Sequence, residues 1–133
     1  MDKINKIIVH CADTYASMDI GADTIRSWHV NERKWSDIGY HYVIRRNGTI
    51  ENGRDDNIAG AHARGHNGDS LGVCLVGGKG KDNNPEFNFT APQIMSLIEL
   101  CSDLTEKYNC EVIGHNEVSD KSCPNFNVQE FFG

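Results

Sequence analysis

Three residues in this chain combine the type and the placement to hold a metal ion: His10, His115 and Cys123. His10 follows Ile7-Ile8-Val9, a short run that is apolar and β-branched throughout, and His115 follows the stretch from Glu111 to Gly114. Both runs suit strands, with the histidines at their carboxyl ends. In open α/β sheets, sites gather in the crevice beyond those ends. Cys123 comes eight residues after His115 and is fixed by the following Pro124. Imidazole nitrogen and thiolate sulfur both bind zinc, and three protein ligands leave a fourth position for water, as in a catalytic site. Cys11 adjoins His10, but neighbouring strand residues point to opposite faces, which makes Cys11 a core residue and not a fourth ligand. On spacing alone, packed histidines and a packed thiol remain the competing reading.

The elements that must position this trio alternate along the chain. A buried strand covers Ile7 to Val9, and Asp23 to Glu32 reads as a helix with Ile25, Trp28 and His29 on one side. His41 to Arg46 and Thr49 to Glu51, joined by Asn47-Gly48, read as a hairpin closed by a type I′ turn. Leu71 to Val76 is a second buried strand, and residues 79 to 89 are polar and turn-rich, a surface loop. Thr90-Ala91-Pro92-Gln93 carries a capping box and opens a long helix, whose stripe runs Ile94, Leu97, Ile98, Cys101, Leu104 and Tyr108. A last strand at Glu111 to Gly114, a loop and a short helix around Val128 to Phe132 complete the chain. The class is α/β: one domain over 1–133, with a mixed central sheet flanked by helices.

Composition narrows the function. With 133 residues, 38% hydrophobic and 24% charged, the chain has a globular balance. A net charge of -6 argues against a nucleic-acid binder, and no apolar run is long enough to enter a membrane. The apolar stretch near Met1 is too short for a signal-peptide core, so synthesis in the cytoplasm without a signal peptide is expected. Five irregularly spaced cysteines do not form a disulfide framework and fit a reducing compartment.

Six stretches carry a family resemblance: Ile8-Val9-His10-Cys11, Trp35 to Tyr42, Asn47 to Glu51, Gly60-Ala61-His62-Ala63, Ser70 to Gly78, and His115 to Val118 with Lys121-Ser122-Cys123-Pro124. In this order they resemble the zinc-dependent N-acetylmuramoyl-L-alanine amidases of the bacteriophage lysozyme type, which share a fold with peptidoglycan recognition proteins. The resemblance spans residues 7 to 126. It implies one zinc held by His10, His115 and Cys123, and catalytic roles for Tyr40 and Lys121. It also implies a peptidoglycan substrate cut between N-acetylmuramic acid and L-alanine by zinc-activated water, as in a phage or prophage endolysin. Lys121 or Tyr40 can stabilise the oxyanion or protonate the leaving amine, and the general base stays open between zinc-activated water and Tyr40.

Around that centre, His62, Trp35 and Asn67 are expected to line the substrate groove. His41 is expected to face away from Tyr40 and to be structural. Three rivals remain to be weighed. A cysteine hydrolase using Cys123 and His115 leaves His10 unexplained, and a zinc deaminase lacks the second half of its signature. A non-catalytic peptidoglycan-binding module is opposed by Tyr40, Lys121 and Cys123, all present here. The expected enzyme is a monomer that acts on the cell wall after pore-assisted release. Some phage relatives contact an RNA polymerase, but no motif here supports that contact.

Overall fold

The computed structural model describes residues 1–132. Its frame is a five-stranded mixed sheet in the order β4-β3-β5-β1-β7. Strand β1 (Lys6–Cys11) lies between β5 (Ser70–Leu75) and β7 (Glu111–Gly114), parallel to both. β3 (Tyr42–Ile44) pairs parallel with β5 and antiparallel with the edge strand β4 (Ile50–Asn52). Alternation divides the side chains between the two faces. Ile7, Val9 and Cys11 of β1 and Leu71, Val73 and Leu75 of β5 face helix α2 (Ala91–Tyr108), where they bury against Leu97, Cys101 and Leu104. On the other face, Val43, Cys74 and Val76 meet Ala22 and Ile25 of the short helix α1 (Ala22–Ser27).

Helix α2 begins where its capping box predicts. The Thr90 hydroxyl accepts the Gln93 amide at 3.2 Å, and Gln93 Oε1 accepts the Thr90 amide at 3.0 Å. The buried stripe differs from the apolar pattern: Ile98 is exposed, while Gln93 is fully buried. Gln93 Nε2 donates to the carbonyls of Ile44 and Val76, at the ends of β3 and β5, so its amide replaces lost water contacts with sheet contacts.

The helix expected over Asp23 to Glu32 is present, as α1 followed by a short π-helix, Trp28–Glu32. Two other expectations need correction. The hairpin does not close through a type I′ turn. That turn needs positive φ at both central residues, and only Gly48 (φ 90°) has it. Instead Gly48 N–H donates to the Arg45 carbonyl at 2.8 Å and Arg45 N–H to Thr49 at 2.9 Å, a longer loop on which α2 docks through the Ser96 hydroxyl. Residues 79 to 89 are not all loop, because β6 (Gly78–Lys79) pairs with β2 (Thr14–Tyr15) in a second small parallel sheet. The terminal helix α3 covers Gln129–Phe132.

Candidate metal centre and its cleft

His10 points away from α2, because Val9 and Cys11 on either side of it point toward that helix. It lies one residue before the carboxyl end of the interior strand β1, and His115 starts the 3-10 turn directly after β7. The parallel pairing of β1 and β7 brings the two rings together, with centroids 4.4 Å apart. Cys123 arrives from the following loop. Its sulfur lies 3.9 Å from His10 Nδ1 and accepts the Cys11 backbone N–H at 3.1 Å. One donor atom from each of the three lies within 4.8 Å of the other two. A tetrahedral ion with bonds of about 2.0 to 2.3 Å places its ligand atoms roughly 3.5 Å apart, so both the donor set and its spacing fit one.

Electrostatics agree with this geometry. Burial holds the His10 pKa well below its ordinary value, with His62, His115 and Lys121 acting in the same direction. Burial and the Lys121 charge lower His115 as well. Both rings therefore stay neutral and keep a lone pair. The Cys123 thiol is pushed upward by its hydrogen bond with Cys11 and by burial. A thiol nucleophile needs the opposite shift, so Cys123 is a poor fit to a cysteine hydrolase, whereas a bound cation would hold it as thiolate.

The trio stands in a cleft of about 770 Å³ that also takes in Tyr40, His62 and Lys121. The Tyr40 ring is 5.2 Å from that of His10. Burial first, and then the neighbouring cysteines, raise its pKa well above that of free tyrosine, so the hydroxyl keeps its proton. Lys121 is exposed at the rim, where its backbone N–H donates to the Ser119 hydroxyl at 3.3 Å. On one side, Trp28, His29 and Trp35 form an aromatic wall, with the Arg33 guanidinium 5.3 Å from the Trp35 ring. On the other side the β2–β6 ledge offers Tyr15 and Lys79, also 5.3 Å apart.

Trp35 and His62 thus line the cleft as the sequence suggests, but Asn67 does not. Its side-chain oxygen accepts the backbone N–H groups of His62 and Ala63, at 2.8 and 2.9 Å, and it folds the loop from within. His41 is structural: its Nε2 donates to the Ile58 carbonyl at 2.8 Å and its Nδ1 accepts Gly72 N–H at 3.1 Å. It does not lie remote from the cleft, however, since its ring meets that of His62 edge-on at 5.8 Å. The strand begins only at Tyr42, so alternation does not reach Tyr40. His29 is a cleft residue that sequence reasoning left on a helix face. Its Nδ1 accepts Gly39 N–H at 2.8 Å, which leaves the opposite ring nitrogen as a donor. The Glu117 carboxylate beside His115 is occupied, because its Oε2 accepts Gly114 N–H at 2.6 Å.

Comparison with known proteins gives the same picture. A profile of the family described as N-acetylmuramoyl-L-alanine amidase matches residues 1–126. The endolysin of Klebsiella phage KP32 is 45% identical over 129 residues, 96% of this chain and 85% of its own length. The endolysin of Escherichia phage T7 is 42% identical over 132 residues, 98% of this chain and 87% of its own. Among solved structures, N-acetylmuramoyl-L-alanine amidase LysC from Clostridium intestinale superposes with a TM-score of 0.83 at 34% identity. That match covers 97% of this chain and 83% of LysC. Drosophila PGRP-LB superposes with a TM-score of 0.75 at 27% identity, covering 93% and 76%.

Proposed function

Because this chain belongs to the N-acetylmuramoyl-L-alanine amidase family, we propose that it is a peptidoglycan hydrolase of the endolysin kind. It cuts the amide that joins the lactyl carbonyl of N-acetylmuramic acid to the first L-alanine of the stem peptide. What carries the reading is the His10, His115 and Cys123 trio at the floor of a cleft with Tyr40 and Lys121 beside it. An ion-binding trio with an open side also favours catalysis over mere binding of the wall polymer.

The ion that best suits this donor set is zinc. When bound there, it supplies Lewis acidity toward the scissile carbonyl and brings the pKa of water toward neutrality. The chain's own groups do the rest. Tyr40, kept protonated by burial, donates its hydroxyl hydrogen toward the oxygen that gains charge as the carbonyl becomes tetrahedral. The Lys121 ammonium at the rim offsets the same charge, and either group can hand a proton to the departing alanine nitrogen. Trp35 and His62 line the path of the substrate. The enzyme works as a monomer on the cell wall, which it reaches by pore-assisted release from the cytoplasm.

Digestion of purified cell wall, read by mass spectrometry, tests the bond. Intact glycan strands with free stem peptides that begin at alanine support the assignment. New reducing sugar ends without released peptides overturn it, as does full activity after exhaustive chelation.

A further inference from the structure

Along the inner wall of the cleft runs a row of hydrogen bonds whose direction is fixed at one end. The His66 carbonyl can only accept, so the Ser70 hydroxyl, 2.6 Å away, donates to it. Ser70 Oγ is then free to accept from His62, whose Nε2 stands 3.3 Å off. A neutral imidazole with its proton on Nε2 presents a lone pair at Nδ1. His62 Nδ1 lies 2.9 Å from His10 Nε2, which must therefore be the donor. His10 Nδ1 is left bare, and this is the nitrogen that faces the Cys123 sulfur. We propose that His62, anchored by Ser70, is a positioning residue that fixes the tautomer of His10 and makes Nδ1 its metal-binding atom.

The surroundings leave His62 little alternative. Gly72 of β5 gives it room, because a Cβ there would stand 2.6 Å from the ring. His41 cannot take over, since both its nitrogens are engaged with Ile58 and Gly72. Ser70 is wholly buried at the start of β5, so the anchor is part of the sheet.

The proposal rests on the reading that the trio holds a metal, and its test separates the two. The full chain, loaded with ¹¹³Cd and labelled with ¹⁵N at histidine, should show scalar coupling from cadmium to His10 Nδ1 and a proton on Nε2. Coupling to Nε2 instead would overturn the proposal while leaving the metal site standing, and a chain that takes up no metal would overturn both. Zinc competition against a chromogenic chelator supplies the second readout. Loss of such a partner typically weakens metal affinity about 10- to 100-fold, and His62→Ala should fall in that range with its circular dichroism unchanged. His62→Asn, whose amide oxygen replaces Nδ1 as acceptor, should restore most of the affinity. Ser70→Ala should lose less than His62→Ala. Wild-type affinity in His62→Ala, or equal loss in the Ala and Asn variants, would reduce His62 to a space-filling role.

Discussion

On the α2 side of the sheet, Ile7, Val9, Leu71, Val73 and Leu75 meet Leu97, Cys101 and Leu104 in a continuous apolar core. On the other side, the same two strands present His10, Gly72 and Cys74 to a helix of six residues and an open cleft. The apolar face obtains its energy from area removed from water, at roughly 25 cal/mol per Å². The cleft face does so only where α1 covers it, because the imidazoles buried beside the cleft cost free energy unless their polar atoms find partners. Those deepest in the wall do: His10 Nε2 meets His62 Nδ1 and His62 Nε2 meets Ser70 Oγ, while the His10 Nδ1 lone pair stays turned toward Cys123. The contrast teaches that period-two alternation lets one strand serve both ends. Val9 anchors the strand into the core, and His10 inherits that anchorage.

The sharpest break in this division is Cys123→Ala. It should abolish metal binding and hydrolysis together while leaving the α2-side core intact; elemental analysis, cell-wall digestion and a melting curve check the three parts. A variant that keeps full metal would remove Cys123 from the site. Next come Lys121→Ala and Tyr40→Phe, each expected to keep the metal and to lose about 10²- to 10³-fold in kcat, the usual toll of one oxyanion donor. The loss should spare KM, because the interaction strengthens only as charge develops. Steady-state kinetics on a soluble muropeptide decides this.

The opposite face should respond in the opposite way. Leu97→Ala, at a fully buried position under the sheet, should cost about 2–5 kcal/mol of stability in denaturant titrations. Its kcat and metal content per folded molecule should stay unchanged. A parallel loss of kcat would mean that the two faces are coupled. The smallest effect concerns His29. Burial, with help from Arg33 and Arg54, lowers its pKa to about 4, whereas the unfolded value is about 6.5. The unfolded chain therefore binds more protons between these values, and the stability from a neutral His29 is lost as pH falls from about 6.5 to 4. An NMR titration should find the ring still neutral near pH 5, about a unit above that pKa. Titration at the ordinary histidine value would contradict its placement.

Much of this arrangement could be read from residue types alone, and the omissions share a cause. The strand bearing His10, the capping box at Thr90 and the His115 to Cys123 segment are local patterns, legible within a few residues. Gln93 was not legible as a core residue because its partners, the carbonyls of Ile44 and Val76, lie 49 and 17 positions away. His62 was legible as a cleft residue, but its bond to His10 was not, since that pairing crosses 52 positions. The β2–β6 ledge was missed because two-residue strands leave no periodicity to detect. Asn67 misled for the same reason as Gln93: a polar residue in a Gly-rich loop suggests a ligand contact, and its actual partners are backbone amides.

The place of β1 between β5 and β7 also bears on the order in which the molecule can be assembled. As the ribosome delivers the chain from its amino end, residues 6–11 emerge before the rest of the sheet, and both of their neighbours come much later. The first neighbour spans Ser70–Leu75 and the second Glu111–Gly114. Until then His10 sits on a strand with neither edge paired, and Cys123 has yet to be made. Contacts this distant in sequence close slowly, because the entropy of the intervening loop must be overcome before they repay it. A nascent chain therefore cannot gather its three ligands early. The trio becomes complete only when Cys123, far along the chain from His10, has left the ribosome.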